Sequence, residues 1–165
     1  MIYSHFMAAS HRRPTAAPAR PADRIDYPAL ADLRYRVRRF LRSREVAARA
    51  AGVEPQHYLV LLQVTGLAGR GPATIGVLAE RLQITHHGVV QLVDRLVERD
   101  MVERRRGGPD RRQVVVALRP AGEAVLRRLA MHSLTDLKTE GPALVASLRR
   151  LIRESNRNVR KENSR

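Results

Sequence analysis

Thr74–Arg119, reading TIGVLAERLQITHHGVVQLVDRLVERDMVERRRGGPDRRQVVVALR, is the stretch that decides the fold. Its first half has helical spacing. Thr74 is a good N-cap, since its hydroxyl can accept from unpaired first-turn amides, and Ile75, Leu78, Ala79 and Leu82 follow at i, i+3, i+4 and i+7. After Gln83 and Ile84, Thr85 repeats the cap and opens a second helix expected to reach about Asp100. On a wheel of about 100° per residue, Val89, Leu92, Val93 and Leu96 gather on one side and should pack inward. The opposite side presents His87, Gln91, Asp94 and Glu98, with His86, Val90 and Arg95 on its flanks. Two helices joined by so short a turn form a helix-turn-helix, whose second helix enters the major groove of DNA. The spacing is not unique, because any small helical domain can contain such a pair.

The second half of the stretch strengthens the reading. Val102–Arg106 and Gln113–Leu118 have strand character, and Val114, Val116 and Leu118 fall on one face. Gly107-Gly108-Pro109-Asp110 between them is turn chemistry, because glycine supplies positive φ and Pro-Asp initiates turns. Arg104, Arg105, Arg106, Arg111 and Arg112 crowd this hairpin, opposed only by Glu103 and Asp110. Exposed arginines on a two-stranded loop suit the narrow, negative minor groove. A solvated hairpin with charged edges is the plain alternative, and it loses weight directly after a helix-turn-helix.

Base contacts in this geometry come from the N-terminal half of the second helix. The DNA-reading candidates are therefore Thr85, His86, His87, Val90 and Gln91, with Arg95 reaching a phosphate or a guanine. Glutamine can pair bidentately with adenine, histidine can donate to guanine or phosphate, and Val90 can touch a thymine methyl. Arg104, Arg106, Arg111 and Arg112 join them from the hairpin. Asp94 and Glu98 would repel phosphates, so the end of the helix should stand back from the backbone. Two adjacent histidines also raise a metal site. However, on a helix they point about 100° apart, and no cysteine or carboxylate stands three or four residues beyond His86. No metal is expected there.

LAERLQITHHGVVQLVDRLVERDMVERRRGGPDRRQVVVALRPAG resembles the winged helix-turn-helix of MarR-type bacterial transcriptional regulators. Asp110-x-Arg112 in the wing is the most specific element, between Val102-Glu103-Arg104 and the Val114–Leu118 strand. VEPQHYLVLLQV is similar to the family's second helix, so the likeness covers roughly 53–122. Two positions depart from the pattern. Asp100 stands where the family usually has glycine, an αL position that aspartate adopts less cheaply. Arg119 replaces the threonine that usually caps the next helix. Both bear on local stability more than on DNA contact. The resemblance implies that Asp110 orients Arg112, the arginine expected to enter the minor groove. It also implies a repressor released by a small aromatic or anionic effector between the dimer helices and the DNA-binding lobe. Tyr35 and His57 are the candidates for lining such a cleft, with surface or core roles as their plain readings.

The composition is consistent with this reading. At 165 residues and 44% hydrophobic, the chain can bury a real core. It lacks an apolar run of about 18 residues and any signal-peptide core, so a cytoplasmic, nucleoid-associated protein with no membrane partner is expected. Without cysteine it has no disulfide, thiolate metal site or thiol sensor, which excludes the peroxide-sensing chemistry of one branch of the resembled family. The net charge of +15 favours a polyanionic partner, and only Lys138 and Lys161 among the 31 basic residues are lysine. Part of that arginine excess is also what a GC-rich genome would produce.

Around the central stretch, residues 1–25 are Pro/Ala-rich and basic, and predict a disordered arm. Pro28 opens a helix with Leu30, Leu33, Val37, Phe40 and Leu41 on one stripe, closing at Gly52. Pro55 to about Val64 predicts another, with Tyr58, Leu59, Leu61 and Leu62 as core candidates. Gly66–Ala73 is a loop, and it meets neither nucleotide-binding fingerprint. Pro120 starts a helix to about Lys138, Gly141-Pro142 breaks it, and a last helix runs from Ala143 to about Asn156 before a frayed tail at 158–165.

The expectation is thus a mainly α protein with a small β-hairpin wing. Residues 54–119 form the winged helix-turn-helix, and the helices of 26–53 and 120–157 form a dimerisation region. A homodimer of this kind binds a pseudo-palindromic operator in double-stranded DNA and regulates transcription. If about ten phosphates are contacted, affinity falls with salt at a log–log slope of roughly −9. No cofactor is needed, and no catalytic constellation is present, so an enzyme is not expected. The rival reading is a non-specific architectural protein that coats nucleic acid through charge alone.

Overall fold

The structure is a computed structural model that describes residues 25–107 and 113–162. The N-terminal arm and the wing tip, with Asp110, Arg111 and Arg112, lie outside the described residues. The element order is α1 (Tyr27–Ala50), α2 (Pro55–Gly66), α3 (Ile75–Leu82), α4 (His86–Glu98), β1 (Val102–Arg106), β2 (Val114–Leu118) and α5 (Pro120–Glu162). The mainly helical architecture with a two-stranded wing is the one the sequence predicts.

Caps set the starts of the helices. Asp26 accepts from the Ala29 amide at 2.8 Å and opens α1 one residue before Pro28. Thr74 accepts from Val77 and Thr85 from Gly88, so both helices of the helix-turn-helix begin where their threonines stand. Gln83 ends α3 in the left-handed conformation, at φ 55°, which makes the turn into Thr85 only three residues long. The strands pair antiparallel, Val102 opposite Leu118 and Arg106 opposite Val114. Thr74 bridges Val115, and the Val116 amide donates to the Ala73 carbonyl at 2.9 Å. The segment entering α3 therefore adds a short third edge to the wing.

The core lies where the DNA-binding elements meet. Val60 and Leu61 from α2, Leu78 from α3, and Val89, Val93 and Leu96 from α4 are fully buried with Val102 of β1. Val116 of β2 and Leu126 and Leu129 of α5 close over them. Two expectations are corrected by the packing. In α2, Tyr58 and Leu61 are buried, but Leu59 and Leu62 face outward, and His57, Val60 and Val64 take the inner positions. That helix is apolar nearly all round, so its wheel does not single out a face.

The second correction concerns Gly141-Pro142, which does not break the chain. α5 is continuous over 43 residues and carries Pro142 inside it, continuing past Asn156. A proline in a helix interior costs about 3 kcal/mol, and packing against α1 on both sides of it offsets that cost. Before the proline, Ser43 donates to Asp136 at 2.6 Å and Arg39 to Glu140 at 2.7 Å. Beyond it, Ser147 donates to Asp32 at 2.7 Å and Arg150 to Asp26 at 2.6 Å. α1 and α5 thus run antiparallel, stitched along their length.

A candidate nucleic-acid interface

The interface is built on α4. Its moment is set by the four residues the sequence assigns inward: Val89, Leu92, Val93 and Leu96 are all buried. That fixes the rotation of the helix, so His86, His87, Gln91 and Arg95 are exposed along one side, and Val90 is half-buried at its edge. Thr85 is exposed at the head of the helix and is committed to the cap through its 3.1 Å bond from the Gly88 amide. His86 stands at a small crevice shared with Thr74, Gly76 and Gln113, where α3 begins beside the wing. On the other flank, Gln91 and Arg95 line a second crevice with Gln56, Ile84 and Gly88.

Two side-chain pairs organise this surface that the sequence reading treats as separate groups. The Gln91 amide lies 3.1 Å from His87 Nε2, one helical turn away. Arg104 of β1 reaches across to Asp94 of α4 at 2.7 Å. Arg104 faces α4 because it stands two residues along β1 from the buried Val102 and so shares its face of the strand. The acidic residue expected only to repel phosphates therefore also holds a wing arginine. On the other face of β1, Arg105 pairs with Glu103; Arg106, on the Arg104 side at the end of the strand, is exposed. The spacing of 94 and 104 gave no signal for their pairing, since it depends on how the wing folds back against the helix.

Tyr35 and His57 are not brought together. Tyr35 is exposed on α1, in an open groove with Leu33, Arg38 and Leu41. His57 is 4% exposed, and neither ring nitrogen has a hydrogen-bond partner. Burial pushes its pKa down, the positive charges of Arg99 and Arg95 push it further, and Glu54 opposes them. The imidazole is therefore held neutral. A different cavity, about 800 Å³, lies between the end of α2, β2 and the start of α5, where Val64, Ala73, Val116 and Leu126 give it an apolar lining and Glu123 and Arg127 stand at its side. Among the described residues, no cluster of three or more side chains suited to a metal ion occurs, and no helix is long and apolar enough to cross a membrane.

Comparison with known proteins agrees with this architecture. A sequence model described as the MarR family matches residues 51–113. No curated protein sequence matches the chain. Among solved structures, apo MarR from E. coli is 21% identical, with 79% of this chain and 96% of that one covered at a TM-score of 0.61. AbsC, a MarR family transcriptional regulator from Streptomyces coelicolor, is 16% identical over 81% and 93%, with a TM-score of 0.63. The MepR–DNA complex of S. aureus is 15% identical over 76% and 94%, with a TM-score of 0.57. At these identities the structures establish a shared fold, and the sequence match runs from the end of α1 through the helix-turn-helix and β1, stopping just before β2. The central segment of the chain thus matches the MarR family model, and the described fold is the one that solved MarR-family winged helix-turn-helix regulators share.

Proposed function

We propose that the chain acts in the cytoplasm as a homodimeric repressor of a pseudo-palindromic operator, released when a small molecule binds. The observation that carries the DNA reading is the rotation of α4, which buries Val89, Leu92, Val93 and Leu96 and leaves His86, His87 and Gln91 exposed in its N-terminal half. One such helix from each subunit enters successive major grooves, and the Arg111/Arg112 wing tip reaches the flanking minor groove, with Asp110 orienting Arg112 as the family resemblance implies. A MarR-fold relative of known structure is a DNA complex, which supports this mode.

The homodimer rests on apolar surface that the single chain leaves uncovered. Leu30, Leu41 and Val46 of α1 and Leu134, Leu148 and Ile152 of α5 are each more than 40% exposed. Burying them against a second copy would take this apolar surface out of water. For release, the 800 Å³ cavity beside β2 and α5 is a better candidate than the cleft expected between Tyr35 and His57. An apolar ligand with one charged group would touch the wing strand and the helix that carries the dimer region at once, and so change the spacing of the two lobes.

Selection of bound sites from random DNA tests the reading. The wild-type chain should recover a two-fold symmetric consensus, and Arg112→Ala should lose the A/T preference flanking it. A solution mass equal to one subunit at micromolar concentration, together with indifference to base order, would overturn the proposal in favour of a coating protein.

A further inference from the structure

Resting on the DNA-binding reading, we infer that His87 is a positioning residue that makes Gln91 an adenine reader. The two side chains sit one turn apart on the exposed edge of α4, in the half of the helix that meets base edges, with the Gln91 amide nitrogen 3.1 Å from His87 Nε2. An amide NH2 only donates, so Gln91 is the donor and His87 the acceptor, and the imidazole proton belongs on Nδ1. One of the two amide protons of Gln91 is thereby used within the protein. What remains to face DNA is one N–H and the carbonyl oxygen, a donor beside an acceptor.

Adenine presents the complement of that pair in the major groove, N7 as acceptor and the N6 amino group as donor. Guanine presents two acceptors there, N7 and O6. A freely rotating glutamine can turn its NH2 group to satisfy both. With one proton held by His87, Gln91 cannot, and its carbonyl would meet a guanine acceptor instead. The discrimination thus comes from the neighbour at position 87 as much as from the glutamine. Pinning the amide also removes rotamer freedom before DNA arrives, so less has to be lost on binding.

The experiment is site selection and competition binding with the full-length chain and the variants Gln91→Ala, His87→Phe, His87→Gln and the double variant Gln91→Ala with His87→Phe. Phenylalanine keeps a ring without the acceptor, whereas glutamine restores an acceptor at similar reach. In the wild type, adenine should be preferred over guanine by about tenfold or more at one symmetric pair of positions. Gln91→Ala and His87→Phe should each abolish most of that preference at the same positions, the double variant should lose no more, and His87→Gln should regain it. Retention of the adenine preference in His87→Phe, losses that multiply in the double variant, or no dependence on Gln91 would each overturn the pairing while leaving a consensus intact. A wild-type chain that selects no consensus sinks the regulator reading and this inference with it.

Discussion

Gly122 shows how much a single missing side chain carries. It is buried where α5 begins, and a Cβ there would collide with the backbone carbonyl of Met101, which also accepts from the Arg119 amide at 3.0 Å. Backbone cannot swing aside as a flexible side chain can. Gly122→Ala should therefore destabilise the chain by about 1–3 kcal/mol or more, seen as a lower urea midpoint at unchanged slope. His57 makes a second prediction at this scale. Its pKa is lowered in the fold from the ordinary 6.5, so the unfolded chain takes up the proton first as pH falls. The stability it allows is complete above that ordinary value and is lost as pH falls towards the folded pKa, at no more than about 1.4 kcal/mol per pH unit. Urea unfolding at about pH 7.5 and about pH 5.5 should show wild type losing more stability than His57→Leu, and equal losses would refute this. The two residues that depart from the family pattern turn out to meet. Asp100 does take the left-handed conformation, at φ 57°, and its carboxylate forms an ion pair with Arg119, 3.0 Å from Nε. Both side chains are largely exposed, so the pair offsets only part of what the αL aspartate and the missing threonine cap cost.

The elements differ in how plainly their sequences announce them. α3 and α4 were legible because each has a threonine cap and a one-sided apolar stripe, two independent signals that agree. Thr85→Ala should lower stability by about 1 kcal/mol through loss of the cap and weaken DNA binding by loosening the turn that carries His86 and His87, whereas Thr85→Ser should preserve both. Thermal unfolding and titration with a selected operator check this together. α2 was legible in extent but not in facing, since Leu59 and Leu62 are as apolar as the Tyr58 and Leu61 that are buried. α5 misled for the opposite reason. Gly141-Pro142 is a strong local stop, but the ties from Asp26, Asp32, Arg39 and Ser43 across to α5 outweigh it, and no local pattern reveals those ties.

Across the whole molecule, the stripe of α1 is the informative failure of packing. Leu30, Val37 and Leu41 line up as the sequence requires, yet within one chain they remain exposed. If a second copy covers this surface, a charge placed in it must separate the subunits. Leu148→Glu should convert the sedimentation behaviour from two subunits to one and reduce affinity for a full palindrome by at least about tenfold, since only one half-site is then held by each molecule. A wild-type chain already sedimenting as a single subunit would refute the dimer itself.

By itself the amino-acid order determined the helix starts, the inward side of α4, the wing strands and the positive charge, because each depends on neighbours within a turn or a hairpin. Tertiary structure alone decided that α5 is unbroken, that Asp94 holds Arg104, that His57 is buried and that the candidate cavity lies beside β2. Those features arise from groups brought together across long stretches of chain, where packing energy overrides local preference and no spacing records the contact.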